Sequence, residues 1–264
     1  MSDTLSLVQR TRSEPRLSAT LLAFRSKRVE PVQTSRHSCR GCLAQRFCLP
    51  EGLVAGDAAE FDGVVSYRFK IAKGSALYHA PQPLISLFAV RVGAFKTTIV
   101  DQGGRGQVTG FQMPGDILGL DAIAEEQHTC SAVALEDSEV CVIPYAALQR
   151  ACGRCKTLQD NFNRILSQLL VREQQMMLLM GHLSAEERLS TFLLGLSERY
   201  QQRGYSASGF VLRMSREDIS SYLGLRLETV CRCIANLRER GVIECHGRTL
   251  QILDLVGLQA AARS

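Results

Sequence analysis

The sequence predicts an α+β protein that consists of a small antiparallel β-roll, one long helix and a C-terminal helix-turn-helix with a β-hairpin wing. Three patterns support this prediction. Between residues 57 and 144, short apolar or alternating runs recur at roughly 8–12-residue intervals and are separated by Gly and Pro. A heptad-like apolar pattern then continues to about His182. Two capped helical segments follow, joined by a tight turn at Gly224.

Length and composition indicate a soluble protein of about two domains. The chain has 264 residues, of which 45% are hydrophobic and 22% charged. No run approaches the ~18 apolar residues of a transmembrane helix, so no membrane partner is expected. Residues 1–38 carry seven Arg or Lys and three acids, without a signal peptide's apolar run. We therefore expect a basic, mostly disordered arm on a cytoplasmic protein.

Closely spaced thiols point to a metal site. Three of the ten cysteines, Cys39, Cys42 and Cys48, lie within ten residues. In a reducing cytosol such thiols favour a soft metal or an iron–sulfur cluster over disulfides. The Cys-x2-Cys-x5-Cys spacing leaves a fourth ligand to come from elsewhere and does not by itself name the metal. Cys152 and Cys155 could combine with Cys39 and Cys42 as a four-thiolate zinc site.

The roll is predicted from five runs, at residues 84–91, 94–100, 107–113, 129–135 and 139–143. The Gly-rich residues 101–106 form a hairpin turn and not a phosphate loop, because a strand rather than a helix follows. Residues 106–149 contain seven acids and no Lys or Arg. A pocket in this part of the roll is therefore poorly suited to a phosphate.

The long helical segment at residues 152–183 predicts a dimer. One apolar seam on a helix of more than twenty residues suits a two-stranded coiled coil, although packing within one subunit has the same signature. Charges at Arg172 and Glu173 interrupt the seam, so the dimer is expected to be marginally stable. The expected interface residues are Leu158, Phe162, Ile165, Leu169, Arg172, Glu173, Met176 and Leu179.

The last segment, residues 184–264, reads as a DNA-binding unit. A capping signature at residues 215–218 begins one short helix. In the next helix, Val230, Ile234 and Leu237 form the inner face.

The outer face of that second helix carries the candidate base-reading residues. Glu228, Cys231 and Arg232 are spaced i, i+3 and i+4. Arg can fork two donors to guanine, and Glu can accept from cytosine, whereas an ordinary surface ion pair is the alternative. Arg216 and Arg226 lie close by and are expected to contact phosphates.

In this order, the roll, long helix and winged helix-turn-helix resemble a CRP/FNR-family transcription regulator, and the thiols resemble those of the FNR branch. The resemblance covers about residues 39–255. Its most specific segments are Cys-x2-Cys-x5-Cys-x-Pro at 39–50 and residues 109–116, 119–123, 140–144, 185–189, 218–225 and 228–229. It implies a cyclic-nucleotide-binding-like β-roll within residues 39–151.

The resemblance also implies a function and a ligand set. FNR-like proteins bind an oxygen-labile [4Fe-4S] cluster, and the matching positions here are Cys39, Cys42, Cys48 and Cys141. It implies a homodimer, double-stranded DNA with TTGAT-like half-sites, RNA polymerase as partner, no cyclic nucleotide and no enzymatic activity. FNR-like recognition helices have Ser where this chain has Cys231, which leaves the base facing that position undefined.

Other functions remain open at this point. A regulator of the same family could sense nitric oxide or redox state, or hold structural zinc. An iron–sulfur electron carrier or enzyme is less favoured, because the spacing matches neither ferredoxins nor radical enzymes.

Overall fold

The computed structural model describes residues 29–32, 39, 41–101 and 103–263. Its strands are β1 (Val29–Val32), β2 (Tyr67–Ile71), β3 (Ala76–Tyr78), β4 (Ser86–Val92), β5 (Phe95–Val100), β6 (Gly106–Gln112), β7 (Ile117–Leu118), β8 (Ser131–Ala134), β9 (Ser138–Pro144), β10 (Gly209–Val211), β11 (Ile243–His246) and β12 (Thr249–Ile252). Its α-helices are α1 (Ala55–Val64), α2 (Tyr145–Cys152), α3 (Lys156–His182), α4 (Ala185–Gln202), α5 (Arg216–Leu223), α6 (Leu227–Glu239) and α7 (Leu255–Ala261).

Two antiparallel sheets form the β-roll. Their strand orders are β1-β2-β9-β4-β7 and β3-β8-β5-β6. The inward residues, among them Phe69, Phe88 and Phe95, are 7% exposed or less and fill the space between the sheets. All five strands expected from the sequence are present. The sequence did not reveal α1, the two-residue β7 or the short strands β1 to β3.

The segment Val29–Val32 differs from the expected disordered arm. It forms a strand that pairs antiparallel with β2, with Val29 opposite Ile71. The pairing satisfies backbone groups that β2 would otherwise leave open at the sheet edge. These four residues are thus an ordered part of the predicted arm, while residues 1–28 and 33–38 lie outside the described residues.

The C-terminal domain is a winged helix-turn-helix, as predicted. Its α5 begins with a capping box in which Ser215 and Asp218 bond each other's backbone N–H. Gly224 ends α5 with φ of 63°, a left-handed conformation that favours glycine. The wing is β11 and β12, and β10 adds a third strand that the sequence did not reveal.

This domain packs against the β-roll of its own subunit. Lys96 on β5 forms an ion pair with Asp218 at 2.5 Å. The backbone N–H of Val108 donates to the hydroxyl of Ser221 at 2.9 Å. The ring of Phe111 lies 5.1 Å from that of Tyr222. The roll and the helix-turn-helix therefore share one apolar cluster.

In the described part of the chain, none of the helices combines the length and the apolar character that crossing a membrane requires.

Candidate metal centre and nucleic-acid interface

The three clustered thiols lie on a compact loop, which we call the thiol loop (residues 39–51). Backbone hydrogen bonds fold it into successive turns, from Cys42 N to Cys39 O at 3.0 Å and from Glu51 N to Cys48 O at 3.1 Å. A short 3-10 helix, Gln45–Phe47, lies between these turns. The Cys39 N–H donates to Asp62 on α1 at 2.8 Å, which ties the start of the loop to the domain.

The structure brings the four predicted ligands together. Cys39, Cys42, Cys48 and Cys141 all line one pocket between the thiol loop and the roll. Cys141 lies on β9, where it pairs with Arg68 of β2 on one side and Ala89 of β4 on the other. A strand paired on both sides is a rigid platform, so the loop thiols face a fixed fourth thiol.

Electrostatics shows that these thiols are mutual neighbours. Burial raises the pKa of Cys39 to about 12, and a hydrogen bond with Asp62 and the charges of Cys141 and Cys42 contribute in the same direction. Burial also raises the pKa of Cys48, with a further contribution from Cys39. Cys39 and Cys48 are therefore protonated at neutral pH, and a metal centre that binds them as thiolates must displace those protons.

The chemistry of the pocket fits an iron–sulfur cluster. All four donors are thiols, the ligand type that such clusters select. Arg68 and Arg91 also line the pocket and can offset the negative charge of a thiolate-bound cluster. Among the described residues, no three His, Cys, Asp or Glu side chains converge as one ion requires.

The other two thiols of the zinc hypothesis lie elsewhere. Neither Cys152 nor Cys155 lines the pocket that contains Cys39 and Cys42. Cys152 is 7% exposed in the core beneath α2. Cys155 precedes α3, and its thiol lies 3.4 Å from the carboxylate of Asp57 on α1. The structure thus gives no support to a site shared by the two pairs.

The thiol loop is attached to α3 by contacts that the sequence did not predict. The buried amide of Asn161 donates to the carbonyl oxygens of Leu49 at 2.9 Å and Glu51 at 2.7 Å. Arg164 forms an ion pair with the Glu51 carboxylate. Asn161 interrupts the apolar face of α3, and a polar residue at such a position was the available sequence signal.

The loop also contacts α4 of the DNA-binding domain. The guanidinium of Arg203 lies 5.1 Å from the ring centroid of Phe47 and donates to the carbonyl of Pro114 at 2.9 Å. Gly115 has φ of +97°, and a Cβ there would lie 2.6 Å from the Cβ of Phe47. This close approach requires glycine.

The outward face of α6 matches the sequence prediction. Glu228, Cys231 and Arg232 are exposed, whereas Val230 and Leu237 are fully buried. In the described part of the chain, Glu228 and Arg232 form no ion pair with each other. Both side chains are therefore available to a partner, and the simple surface-pair interpretation loses its support.

The basic residues beside α6 differ in availability. Arg226 is the exposed N-cap of α6. Arg216 is half-buried, and its Nη2 donates to the thiol of Cys245 at 2.9 Å and lies 3.4 Å from the Gly247 carbonyl. Arg216 therefore connects α5 to the wing through Nη2, whereas its Nη1 has no hydrogen-bond partner among the described residues, so its expected contact with a phosphate stays a prediction.

Comparisons with known proteins agree with this geometry. A family profile of the Crp-like helix-turn-helix domain matches residues 187–261, and one of the cyclic nucleotide-binding domain matches residues 68–155. The transcriptional regulatory protein btr of Bordetella pertussis is 41% identical over 233 residues, which are 88% of this chain and 96% of the relative. This chain belongs to the CRP/FNR family of transcription regulators.

Further CRP/FNR-family proteins support the same grouping. The anaerobic regulatory protein of Pasteurella multocida is 39% identical over 220 residues, covering 83% of this chain and 81% of the relative. The structure of FixK2 from Bradyrhizobium japonicum matches with a TM-score of 0.69 and 29% identity, covering 75% of this chain and 97% of that one. The predicted domain order is therefore confirmed. The family comprises DNA-binding regulators rather than enzymes.

The dimer interface expected for this CRP/FNR-family regulator needs correction. Leu158, Phe162 and Leu179 are 8% exposed or less, because they pack against the roll and the helix-turn-helix of their own subunit. Ile165, Leu169 and Met176 are half-buried on the same inner face, and Arg172 and Glu173 are exposed. The buried side chains of Leu158, Phe162 and Leu179 are therefore unavailable to a second subunit.

A different face of α3 is open. Leu170, Val171, Met177 and Leu178 are 46% to 75% exposed, and we call them the outer stripe. At 3.6 residues per turn they lie on the side of α3 opposite the buried residues. Glu173 lies at the edge of the stripe, three residues after Leu170 and four before Met177.

The interior of the roll in this CRP/FNR-family chain is filled by its own side chains. The ring of Tyr78 stacks on His128 at 3.8 Å and on Phe88 at 5.9 Å. Burial by itself raises the pKa of Asp121, but hydrogen bonds from His128, Thr129 and Cys130 bring it to about 2. The ionised carboxylate of Asp121, in a segment without Lys or Arg, would repel a phosphate bound in the roll.

Proposed function

We propose that this protein is an oxygen-responsive, DNA-binding transcription regulator. A [4Fe-4S] cluster held by Cys39, Cys42, Cys48 and Cys141 favours the dimer that binds a palindromic, TTGAT-like site. Oxygen breaks the cluster and releases the DNA. The regulator acts in the cytoplasm, binds RNA polymerase when on DNA and takes no cyclic nucleotide.

The observation that carries this proposal is the convergence of thiols from two distant segments. Cys141 follows Cys48 by more than ninety residues, yet both line one pocket with Cys39 and Cys42. Relatives named anaerobic regulatory protein and transcriptional activator protein anr support oxygen as the signal. The interior of the roll, filled by its own side chains and with the Asp121 carboxylate beside His128, supports the absence of a cyclic nucleotide.

The protein's own contacts supply a route from the pocket to the dimer surface. When bound, the cluster supplies the oxygen-sensitive chemistry. Cys141 on β9 would hold the cluster from the side of the roll, and Cys39, Cys42 and Cys48 would hold it from the thiol loop. Asn161 and Arg164 hold the end of that loop against α3, whose opposite side carries the outer stripe. A change in the loop is thereby transmitted to the helix that pairs the subunits.

Pairing places two copies of α6 on DNA. Recognition helices of a dimer enter successive major grooves about 34 Å apart, which requires a palindromic site. Glu228 and Arg232 then read base edges, and Arg226 contacts a phosphate. Cys231 can pack against a thymine methyl group.

Anaerobic purification tests the proposal. We expect four iron and four sulfide per chain, a dimer that binds the palindromic site, and loss of all three after exposure to air. Cys141→Ser should abolish iron binding, whereas the matched change of a buried thiol outside the pocket, Cys130→Ser, should retain it. Full iron content in Cys141→Ser would contradict the ligand set.

The same preparation separates the remaining alternatives. Zinc in place of iron would indicate a structural site. Release of DNA by nitric oxide but not by oxygen would assign the other signal. Catalytic turnover by the anaerobic protein would revive an iron–sulfur enzyme.

A further inference from the structure

A second cavity lies beside the thiol pocket. It has a volume of about 490 Å³ and opens between the thiol loop, α3 and α4. Cys48 lies in the walls of both cavities. This volume is within the roughly 300–1,000 Å³ of small-molecule sites. We call this cavity the arginine cleft.

The walls of the arginine cleft carry more positive than negative charge. Five arginines line it, namely Arg46, Arg164, Arg172, Arg199 and Arg203, together with the carboxylates of Glu51 and Asp116. Glu51 pairs with Arg164, and Asp116 pairs with Arg199 at 2.5 Å and Arg203 at 3.0 Å. Five cations and two anions leave three positive charges in excess. Within the described residues, Arg46 and Arg172 form no ion pair.

This excess extends into the buried end of the cleft. The side chain of Arg203 is 7% exposed. Burial lowers the pKa of Arg203, Asp116 opposes this, and the like charges of Arg199 and Arg172 lower it further. Like charges at a poorly hydrated position repel each other strongly, so an added anion would stabilise the arrangement.

We propose that the arginine cleft binds a small polyanion, a molecule with at least two phosphate or carboxylate groups. Guanidinium groups form paired hydrogen bonds with both kinds of oxyanion. A bound polyanion joins Arg46 of the thiol loop, Arg172 of α3 and Arg199 of α4. It therefore fixes the DNA-binding domain relative to α3. This second input acts on the same thiol loop that carries three of the proposed cluster ligands.

Titration calorimetry on the full-length protein tests this proposal, with pyrophosphate and citrate as probes at constant ionic strength. We expect saturable binding of one probe molecule per chain. Arg172→Gln and Arg46→Gln should each weaken binding about ten-fold or more, because each removes a charge-assisted contact. Arg105→Gln removes an equal charge from a roll hairpin outside the cleft and should leave affinity unchanged.

The two probes separate the ligand classes. Tighter binding of pyrophosphate assigns phosphates, and tighter binding of citrate assigns carboxylates. Arg46 is an exposed side chain on the loop, so its replacement tests the cleft even if Arg172→Gln alters dimerisation. Absence of saturable binding, or equal weakening in Arg105→Gln, would overturn the proposal.

Discussion

The side-chain amide of Asn161 donates a hydrogen bond to the carbonyl oxygen of Leu49 at 2.9 Å. Both groups are buried, and Leu49 directly follows the ligand candidate Cys48. The same amide donates to the Glu51 carbonyl at 2.7 Å. Asn161 of α3 therefore fixes the backbone at the C-terminal end of the thiol loop.

Replacement of that residue should loosen the loop. Asn161→Ala leaves two carbonyl oxygens without their donor, so we expect a loss of about 1–3 kcal/mol in the free energy of unfolding. Asn163→Ala removes an exposed amide on the same helix, which accepts a hydrogen bond from Gln159, and it should cost less than about 0.5 kcal/mol. Denaturant unfolding of both variants measures the difference. Equal losses would show that the Asn161 contacts do not stabilise the fold.

The outer stripe should control subunit pairing. Met177→Glu places a charge within the apolar surface of α3, and we expect the dimer dissociation constant to rise at least about ten-fold. Val256→Glu is a matched control, because Val256 is 74% exposed on α7 and Met177 is 75% exposed. Sedimentation of the anaerobic proteins measures both. A dimer unaffected by Met177→Glu would place the interface elsewhere.

Glu173 should weaken the dimer through charge. Two copies of this carboxylate lie beside the stripe, and Glu173→Gln should strengthen pairing several-fold, whereas Glu198→Gln on α4 should not. Burial raises the pKa of Glu173, and Arg172 opposes this. A raised pKa means that protonation begins at a higher pH than for free Glu. Wild-type pairing should thus strengthen as pH falls towards that pKa, and pairing of Glu173→Gln should change less.

Arg232 should read one base. Arg232→Ala should cost about 1–3 kcal/mol at one guanine and relax specificity there. Binding to a set of sites that differ at single positions measures this effect. Equal losses on every sequence would mean that Arg232 contacts only phosphate.

Asp116 should make the contact between the roll and the DNA-binding domain sensitive to acid, because it pairs with Arg199 and Arg203. Burial by itself raises the pKa of Asp116, but Arg199, Arg203 and Arg172 bring it below the ordinary value. A lowered pKa adds stability above about pH 3.9, and this stability is lost as pH falls through the folded-state pKa.

The measurement is unfolding of wild type and variants between pH 7 and pH 3. Asp116→Asn should cost about 3 kcal/mol at neutral pH, because it leaves two guanidinium groups without their partner. The exposed control Asp160→Asn should cost less than about 1 kcal/mol. A pH profile shared by wild type and Asp116→Asn would rule out this carboxylate as the source.

Local spacing in the sequence was enough to predict the outer face of α6 and the three clustered thiols of the thiol loop. The i, i+3, i+4 pattern placed Glu228, Cys231 and Arg232 on the outer face, and the structure agrees. Cys141 has no local signal, because its role depends on strand pairing that brings β9 beneath the loop. Only the family resemblance selected it.

The long helix shows why sequence periodicity was insufficient. α3 has apolar residues on two opposite faces, and both rows repeat every seven residues. Which row is buried depends on where the roll and the helix-turn-helix pack, and this is a tertiary property. For the same reason, the sequence did not show that Arg216 would donate a hydrogen bond to the wing or that Asn161 would donate hydrogen bonds to the thiol loop.

Leu170 and the other residues of the outer stripe are exposed on the surface of the subunit, and this has a quantitative consequence for the cell. Pair formation between separate chains grows with the square of their concentration when most chains are single. We therefore expect that, in the proposed regulator, the amount of protein that a cell synthesises sets the fraction of paired chains. Gene dosage should then shift the oxygen concentration at which the response occurs, without any change in the proposed sulfur ligands.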